Sequence, residues 1–252
     1  MTRPQALKFS MVLTGVAGSL LLPLLWVAVK YIFHVPERFL PSPGAVWRAY
    51  TDLDPSLWRH MAVTALRLVV GSVLGILAGI GLGILFSRWG TVERFFLPSV
   101  QAMRAIPPVA TVPFFLLWFG FSEVGKILII VCGIAFNLAV ATLQAIRSTP
   151  ERYQILFKSF RLSPGSLPLS YSLPASLEAI GPTIRFSIAT AFGLVVVSEL
   201  LGSQSGLGYL IQTSRSTFAM HTIFLATFAL GALASASDWV FGSIWARVVF
   251  WK

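Results

Sequence analysis

The chain has few charged residues and a single cysteine. Aspartate, glutamate, lysine and arginine make up only 11% of its 252 residues, whereas hydrophobic residues make up 56%. A soluble globular domain usually contains about 25% charged residues, so this composition excludes that class and predicts an integral membrane protein. Cys132 lies alone within an apolar run, which excludes a disulfide framework or a cysteine–zinc cluster inside the chain.

Enzyme motifs are absent or incomplete. The sequence contains neither H-E-x-x-H nor G-x-S-x-G, and its three histidines lie in unrelated contexts. Residues 120–126, GFSEVGK, match most of a phosphate-binding loop, but Ile127 replaces the hydroxyl residue that would hold magnesium. We interpret this match as coincidence. The sequence therefore predicts no catalytic residue, no metal site and no nucleotide bound by this chain itself.

Long apolar runs dominate the sequence. A membrane-spanning helix needs about 20 apolar residues, and the chain has room for roughly six. We therefore predict an all-α polytopic membrane protein with about six transmembrane helices, within residues 9–29, 68–87, 104–120, 127–146, 175–201 and 216–237. Residues 1–57 are expected to form the first span and an outer interfacial segment, residues 58–246 the main membrane domain, and residues 247–252 a cytoplasmic tail.

Lysine and arginine are concentrated between the apolar runs. The longest polar stretch, residues 147–174, is basic and separates the fourth run from the fifth. Because cytoplasmic loops carry an excess of lysine and arginine, we predict that this stretch and both termini face the cytoplasm. The net charge of +10 then reflects contact with anionic membrane lipids rather than with nucleic acid.

Three prolines, Pro107, Pro108 and Pro113, interrupt the third apolar run. Proline frees backbone carbonyls in a helix, and at membrane depth such groups persist only against protein or a water-filled path. The pattern predicts a pathway or gate, with a simple packing kink as the alternative.

The fifth run is interrupted by charge at two depths, at Arg185 and at Glu199. They are separated by about 21 Å along a helix, which excludes a direct bond within one span, and we expect Arg104 to be the partner of Glu199. Glu199 serves either in a structural ion pair or in gating or ligand contact. The candidate translocation path comprises Arg104, Pro107, Pro108, Pro113, Trp118, Phe119, Glu199, Ser203, Ser205, Gly206 and Gly208.

Glycines recur every fourth residue in the second run. This spacing places them on one face of a helix, where a neighbouring helix can approach closely. We therefore predict a helix-packing face formed by Gly71, Gly75, Gly79 and Gly83.

Several motifs together resemble the transmembrane subunits of bacterial binding-protein-dependent ABC importers, in the branch of the nitrate, sulfonate and taurine permeases. The matching pieces are LPSP at residues 40–43, T-x-x-R at Thr64 and Arg67, R-x-I-P-P-x-A-x-x-P at residues 104–113, WFGF at residues 118–121, and SELLGSQSGLGYLI at residues 198–211. The similarity covers nearly the whole chain, and residues 58–246 correspond to the type I transmembrane domain of this family.

The resemblance implies a type I importer permease in the bacterial inner membrane. Its partners would be a second permease subunit, identical or different, two ABC ATPases, and a periplasmic or lipid-anchored binding protein that delivers a small anionic or organic solute. ATP and magnesium would be bound by the ATPase and not by this chain.

In this family the loop between the fourth and fifth spans forms coupling helices that dock onto the ATPase. The usual signature E-A-A-x(3)-G-x(9)-I-x-L-P is matched here only at Leu173 and Pro174. We expect either a specialised docking surface or substitutions that the interface tolerates. The candidate coupling residues are Glu151, Arg152, Ile155, Leu156, Phe157, Lys158, Arg161, Ser163 and Pro174.

An ion-gradient-driven secondary transporter is the alternative function. Such carriers often contain inverted repeats and relays of ionisable residues. The sequence has no convincing repeat, so we favour the importer subunit.

Overall fold

The computed structural model describes residue 18 and residues 20–53, 55–148 and 173–249. All regular structure in these ranges is helical. The helices are α1 (Leu20–Ile32), α2 (Pro43–Leu53), α3 (Ser56–Arg88), α4 (Gly90–Ala105), α5 (Pro108–Phe119), α6 (Glu123–Arg147), α7 (Leu173–Gly202), α8 (Leu207–Ser216) and α9 (Met220–Val248).

Four of these helices, α3, α6, α7 and α9, are long and apolar enough to cross a membrane, and α4 with α5 forms a further candidate span. The predicted all-α polytopic fold is therefore confirmed. Helix α1 belongs to the predicted first span, but most of residues 9–19 lie outside the described ranges. The number of six spans stays a prediction.

Two span boundaries predicted from charged residues are wrong. The second span was expected to begin at residue 68, but α3 starts at Ser56 and includes Arg67. The last span was expected to end before Asp238, but α9 continues to Val248. In both cases the charge lies inside the helix because an ion pair from another helix compensates it.

The third predicted span is divided between two helices. Helix α4 ends at Ala105, α5 begins at Pro108, and their axes differ by 103°. Pro107 caps α5 and Pro108 occupies its first turn, where the missing N–H is tolerated. Pro113 lies inside α5, where it removes a helical hydrogen bond.

The central packing contact joins α3 to α6. Gly71, Gly75, Gly79 and Gly83 are all buried on α3. A methyl group added at these positions would lie within 2.9 Å of Ile130, Ile134, Leu138 and Thr142 of α6, respectively. The glycine face thus lets the two helix backbones approach closely. Helix α7 also packs against α6, where Leu194 lies against Gly133.

Candidate functional site

Four charged side chains meet near one end of the bundle. We call Arg67, Glu123, Lys126 and Glu199 the four-charge cluster. They come from α3, α6 and α7, and their formal charges sum to zero. Arg67, Lys126 and Glu199 are buried, whereas Glu123 is exposed. A buried charge is tolerated only when it is paired and hydrogen-bonded, and this cluster meets that condition.

Arg67 is the centre of the cluster. Its Nη1 donates to Glu199 Oε1 at 2.7 Å and to the carbonyl of Ser205 at 2.8 Å. Its Nε and Nη2 donate to the two carboxylate oxygens of Glu123 at 2.7 and 2.6 Å. The planar guanidinium therefore joins α3 to α6, α7 and the segment after α7.

The carboxylate of Glu199 also caps the N-terminus of α8. It accepts a hydrogen bond from the backbone N–H of Gly208 at 2.9 Å, and Thr64 donates to both of its oxygens at 3.0 Å. Thr64 in turn accepts the N–H of Leu207 at 2.9 Å. The first amides of a helix have no partner within the helix, so α3 and α7 supply the acceptors for α8.

Gly206 allows the close approach between this turn and the carboxylate. Its φ angle is 112°, which other residues rarely adopt, and a Cβ atom here would lie 2.3 Å from Glu199 Cδ. The run E-x(6)-G-L-G therefore encodes one structural unit: an acid, the glycine turn against it, and the helix start that it caps.

The segment GFSEVGK leads into α6 and supplies two members of the four-charge cluster. Ser122 caps the helix by accepting the N–H of Gly125 at 3.3 Å. Glu123 and Lys126 then enter the cluster, where Lys126 Nζ donates to Glu123 at 3.1 Å and to Ser203 at 3.2 Å. No strand precedes this segment in the described ranges.

The expected pairing of Glu199 with Arg104 is wrong. Glu199 pairs with Arg67, whereas Arg104 is exposed and donates to Gln101 and Asn137, both at 3.1 Å. Arg104 lies in the last turn of α4, just before the 103° bend to α5. From the sequence, Arg67 was taken to lie at the edge of a span, and Glu123 and Lys126 were taken as parts of a coincidental motif match. The formal charges of Arg67, Glu123, Lys126 and Glu199 sum to zero, and this balance is the sequence signal that could have identified the cluster.

The other candidate path residues do not all converge on this cluster. Ser203, Ser205, Gly206 and Gly208 line it. Trp118 and Phe119, by contrast, are exposed on α5. Their role in translocation stays a prediction.

A second ion pair lies between α7 and α9. Arg185 donates from Nε and Nη2 to the two oxygens of Asp238, both at 2.5 Å. The side chains are 61% and 47% exposed, in contrast to the buried Arg67–Glu199 pair. A charge near the centre of a membrane helix costs roughly 2.5–3.5 kcal/mol on insertion scales and usually faces a cavity or the protein interior.

The polar stretch between α6 and α7 lies mostly outside the described residues. All the candidate coupling residues from Glu151 to Ser163 are in that part. Pro174 lies in the first turn of α7. At the end of α6 next to this stretch, Arg147 pairs with Glu93 of α4 at 2.5 Å.

The long apolar helices, the bent α4–α5 pair and the paired charges inside helices define a multi-pass membrane protein with the features of a polar path. Comparison with known proteins specifies which kind. The chain belongs to the family described as "Binding-protein-dependent transport system inner membrane component", whose model matches residues 71–249. It is accordingly a permease subunit of an ATP-driven importer and works with an ATPase and a binding protein.

Individual relatives cover most of the chain. The taurine transport system permease protein TauC of Escherichia coli is 27% identical, over 82% of this chain and 78% of its own length. The formylaminopyrimidine transport permease protein ThiX of Halalkalibacterium halodurans is 30% identical, over 85% of this chain and 86% of its own length. The E. coli protein SsuC, named for transport of aliphatic sulfonates, is 30% identical, over 88% of this chain and 86% of its own length.

A solved structure has the same fold. The inward-facing MetNI methionine ABC transporter contains a chain that matches with a TM-score of 0.66 at 17% identity, over 78% of this chain and 98% of that chain. The predicted type I importer permease fold is thus confirmed.

Proposed function

We propose that this permease imports a small organic anion, with sulfonates as the first class to test. The observation that carries the proposal is the similarity over more than 80% of the chain to permeases named for taurine and aliphatic sulfonates. The exposed Arg185 in a membrane span is consistent with an anionic cargo, because a guanidinium binds sulfonate and carboxylate groups through paired N–H donors.

In this proposal two permease subunits, identical or different, enclose the path, and two separate ATPases bind ATP and magnesium. The chain itself catalyses no reaction. Its exposed apolar surface supports a subunit contact in addition to lipid contact: α9 exposes Trp239, Val240, Ile244 and Val248. Both termini and residues 147–174 lie in the cytoplasm, where Leu156, Phe157 and Arg161 contact the ATPase.

Uptake by the reconstituted complex tests the function. The chain is co-expressed with the ATPase and binding protein encoded beside it, and proteoliposomes are given radiolabelled taurine or ethanesulfonate. We expect uptake that requires internal ATP and binding protein outside. Uptake driven by an ion gradient without ATP would instead support the secondary transporter, and lack of uptake of either sulfonate would contradict the proposed cargo class.

Cysteine labelling tests the orientation. Cys132→Ser removes the native thiol, and Ser163→Cys then places a single thiol in the polar stretch. A membrane-impermeant maleimide should label this variant in inverted membrane vesicles and not in intact cells freed of the outer membrane. The reverse pattern would refute the orientation.

A further inference from the structure

The Arg185–Asp238 pair lies deep within two helices. Arg185 is 12 residues from the start of α7 and Asp238 is 10 residues from the end of α9, about 18 and 15 Å along the respective axes. The hydrocarbon core is about 30 Å thick, so helices of this length place both charges inside it. Exposed charges at this depth require either water or a polar partner.

The pair opens onto a cleft between α7 and α9. The cleft has a volume of about 350 Å³, and its residues recur at helical spacing on each side. Its lining consists of Ile188, Ala189 and Phe192 of α7 and Ala234, Ser235 and Phe241 of α9, besides the two charged residues. It is thus a largely apolar cleft with an arginine, an aspartate and one hydroxyl group, the composition typical of a site for a small amphiphilic ligand.

The guanidinium has spare donors toward this space. Asp238 occupies Nε and Nη2, and no acceptor within the described ranges bonds to Nη1. An arginine has five N–H donors, so three remain for another anion while Asp238 holds the plane of the guanidinium in place.

Helix packing alone does not account for the pair. Two turns from Asp238 toward the end of α9, Trp245 lies against Gly181, where an added Cβ would be 2.6 Å from the indole ring. Phe241 stacks on Trp245 at 5.5 Å. These apolar contacts already join α7 to α9, and the charged pair beside them stays exposed.

We propose that this cleft is an anion-binding site on the translocation path, in which Arg185 contacts the sulfonate or carboxylate group of the cargo. Asp238 is a positioning residue that orients the guanidinium, and Phe192 with Phe241 packs against the apolar part of the ligand. This inference rests on the proposed function, because it assigns that function's anionic cargo to a particular site.

Thiol labelling measures access and occupancy directly. In the Cys132→Ser background, Ser235→Cys puts a thiol in the cleft, and Phe186→Cys serves as the matched control. Phe186 is exposed at nearly the same depth as Arg185 but does not line the cleft. We expect a charged methanethiosulfonate to modify the first variant in the assembled complex and not the second. Equal reactivity of the two variants would refute a water-accessible cleft.

Protection by ethanesulfonate tests the ligand class. It should slow modification of the Ser235→Cys variant, whereas sodium chloride at equal ionic strength should not. Asp238→Asn should raise the half-protecting concentration, and Asp238→Glu should restore it, which a purely structural role would not produce. Protection that is absent, or equal with chloride, would overturn the proposal.

A double neutral variant separates anion binding from charge compensation. Arg185→Gln with Asp238→Asn leaves no unpaired charge, so a purely structural pair would be replaced without loss of uptake. We expect uptake per assembled complex to fall at least about tenfold, because a charge-assisted contact to the cargo is lost. The control variant, Lys30→Gln with Glu37→Gln, removes an ion pair outside the cleft and likewise leaves no unpaired charge. It should retain uptake within about twofold.

The two proposals fail in different ways. If the unmodified complex imports neither sulfonate, the proposed cargo class is wrong. If it imports them and the double neutral variant does so equally well, the proposed site alone is wrong.

Discussion

Replacing one acid at a time around Arg67 will measure what burial contributes to the four-charge cluster. The same guanidinium binds Glu199, whose side chain is 0% exposed, and Glu123, whose side chain is 58% exposed. The chain therefore contains its own matched control. We expect Glu199→Gln to destabilise the fold and Glu123→Gln to have a much smaller effect.

The expected magnitudes follow from the contacts. Both oxygens of Glu199 accept hydrogen bonds, one from Arg67 and the other from the Gly208 N–H. A glutamine must therefore direct its NH₂ group toward a donor, and an unsatisfied buried group costs about 1–3 kcal/mol. Arg67→Gln leaves the buried Glu199 charge without its cation, which costs about 3–5 kcal/mol. Glu123→Gln changes a solvent-exposed side chain whose amide oxygen can still accept a hydrogen bond from Arg67 or Lys126, so we expect a smaller cost than for Glu199→Gln.

Reversible unfolding of the purified chain in mixed micelles, followed by circular dichroism, provides the free energies. The double variant Arg67→Gln with Glu199→Gln completes a mutant cycle, and we expect a coupling energy of about 1–3 kcal/mol. Equal costs for Glu199→Gln and Glu123→Gln, or additive effects of Arg67 and Glu199, would refute the reasoning.

Three further substitutions test the local geometry by the same unfolding measurement. Gly206→Ala should lower the free energy of unfolding by about 1–3 kcal/mol through backbone strain, since the φ of Gly206 is 112° and a Cβ would contact the Glu199 carboxylate. The control Gly193→Ala lies in a helix with open space around it and should not lower stability. Equal losses of stability in the two variants would contradict this explanation. Gly79→Val should lower the free energy of unfolding by about 1–3 kcal/mol by overpacking, because a Cβ would lie 2.8 Å from Leu138. In the control Gly81→Val, on the same helix, an added Cβ has no neighbour within 4 Å. Similar losses of stability in the two variants would exclude close helix packing as the cause. Ser122→Ala should lower stability by about 1 kcal/mol through loss of the α6 cap, and an unchanged value would show that the cap contributes nothing.

The sequence was sufficient for the long helices α3, α6, α7 and α9, but not for their ends or for the division of the third span into α4 and α5. Apolar runs identified the helices that cross the membrane because hydropathy is a local property. The boundaries near Arg67 and Asp238 were wrong because each charge was taken to mark the end of a helix. Whether a charge can lie inside a span depends on a partner far away in sequence: Glu199 for Arg67, and Arg185 for Asp238. A single sequence does not specify such pairings.

The candidate site shows the same limit. The run of residues 198–211 predicted a functional role for Glu199, Gly206 and Gly208, and the structure brings these three residues together at the start of α8. Glu123 and Lys126 were not predicted as site residues, because they belong to the incomplete nucleotide motif. That the motif match is coincidental stays a prediction, but its two charged residues have a structural role in the cluster.

The positions of the two ion pairs distinguish a fixed end of the bundle from an open region. Helices α6 and α7 flank the polar stretch at one end, and at the other end Glu123 of α6 and Glu199 of α7 are both bonded to Arg67. Both helices are therefore bonded to the same buried guanidinium at that end. They can separate there only if Glu199 becomes exposed or loses its partner, and leaving a buried charge unpaired costs free energy. The Arg185–Asp238 pair lies between these ends and is already exposed, so water or an anion can replace part of its contacts at a smaller cost. A change of affinity during transport requires contacts that differ between states, and the exposed pair meets this requirement better than the buried cluster does.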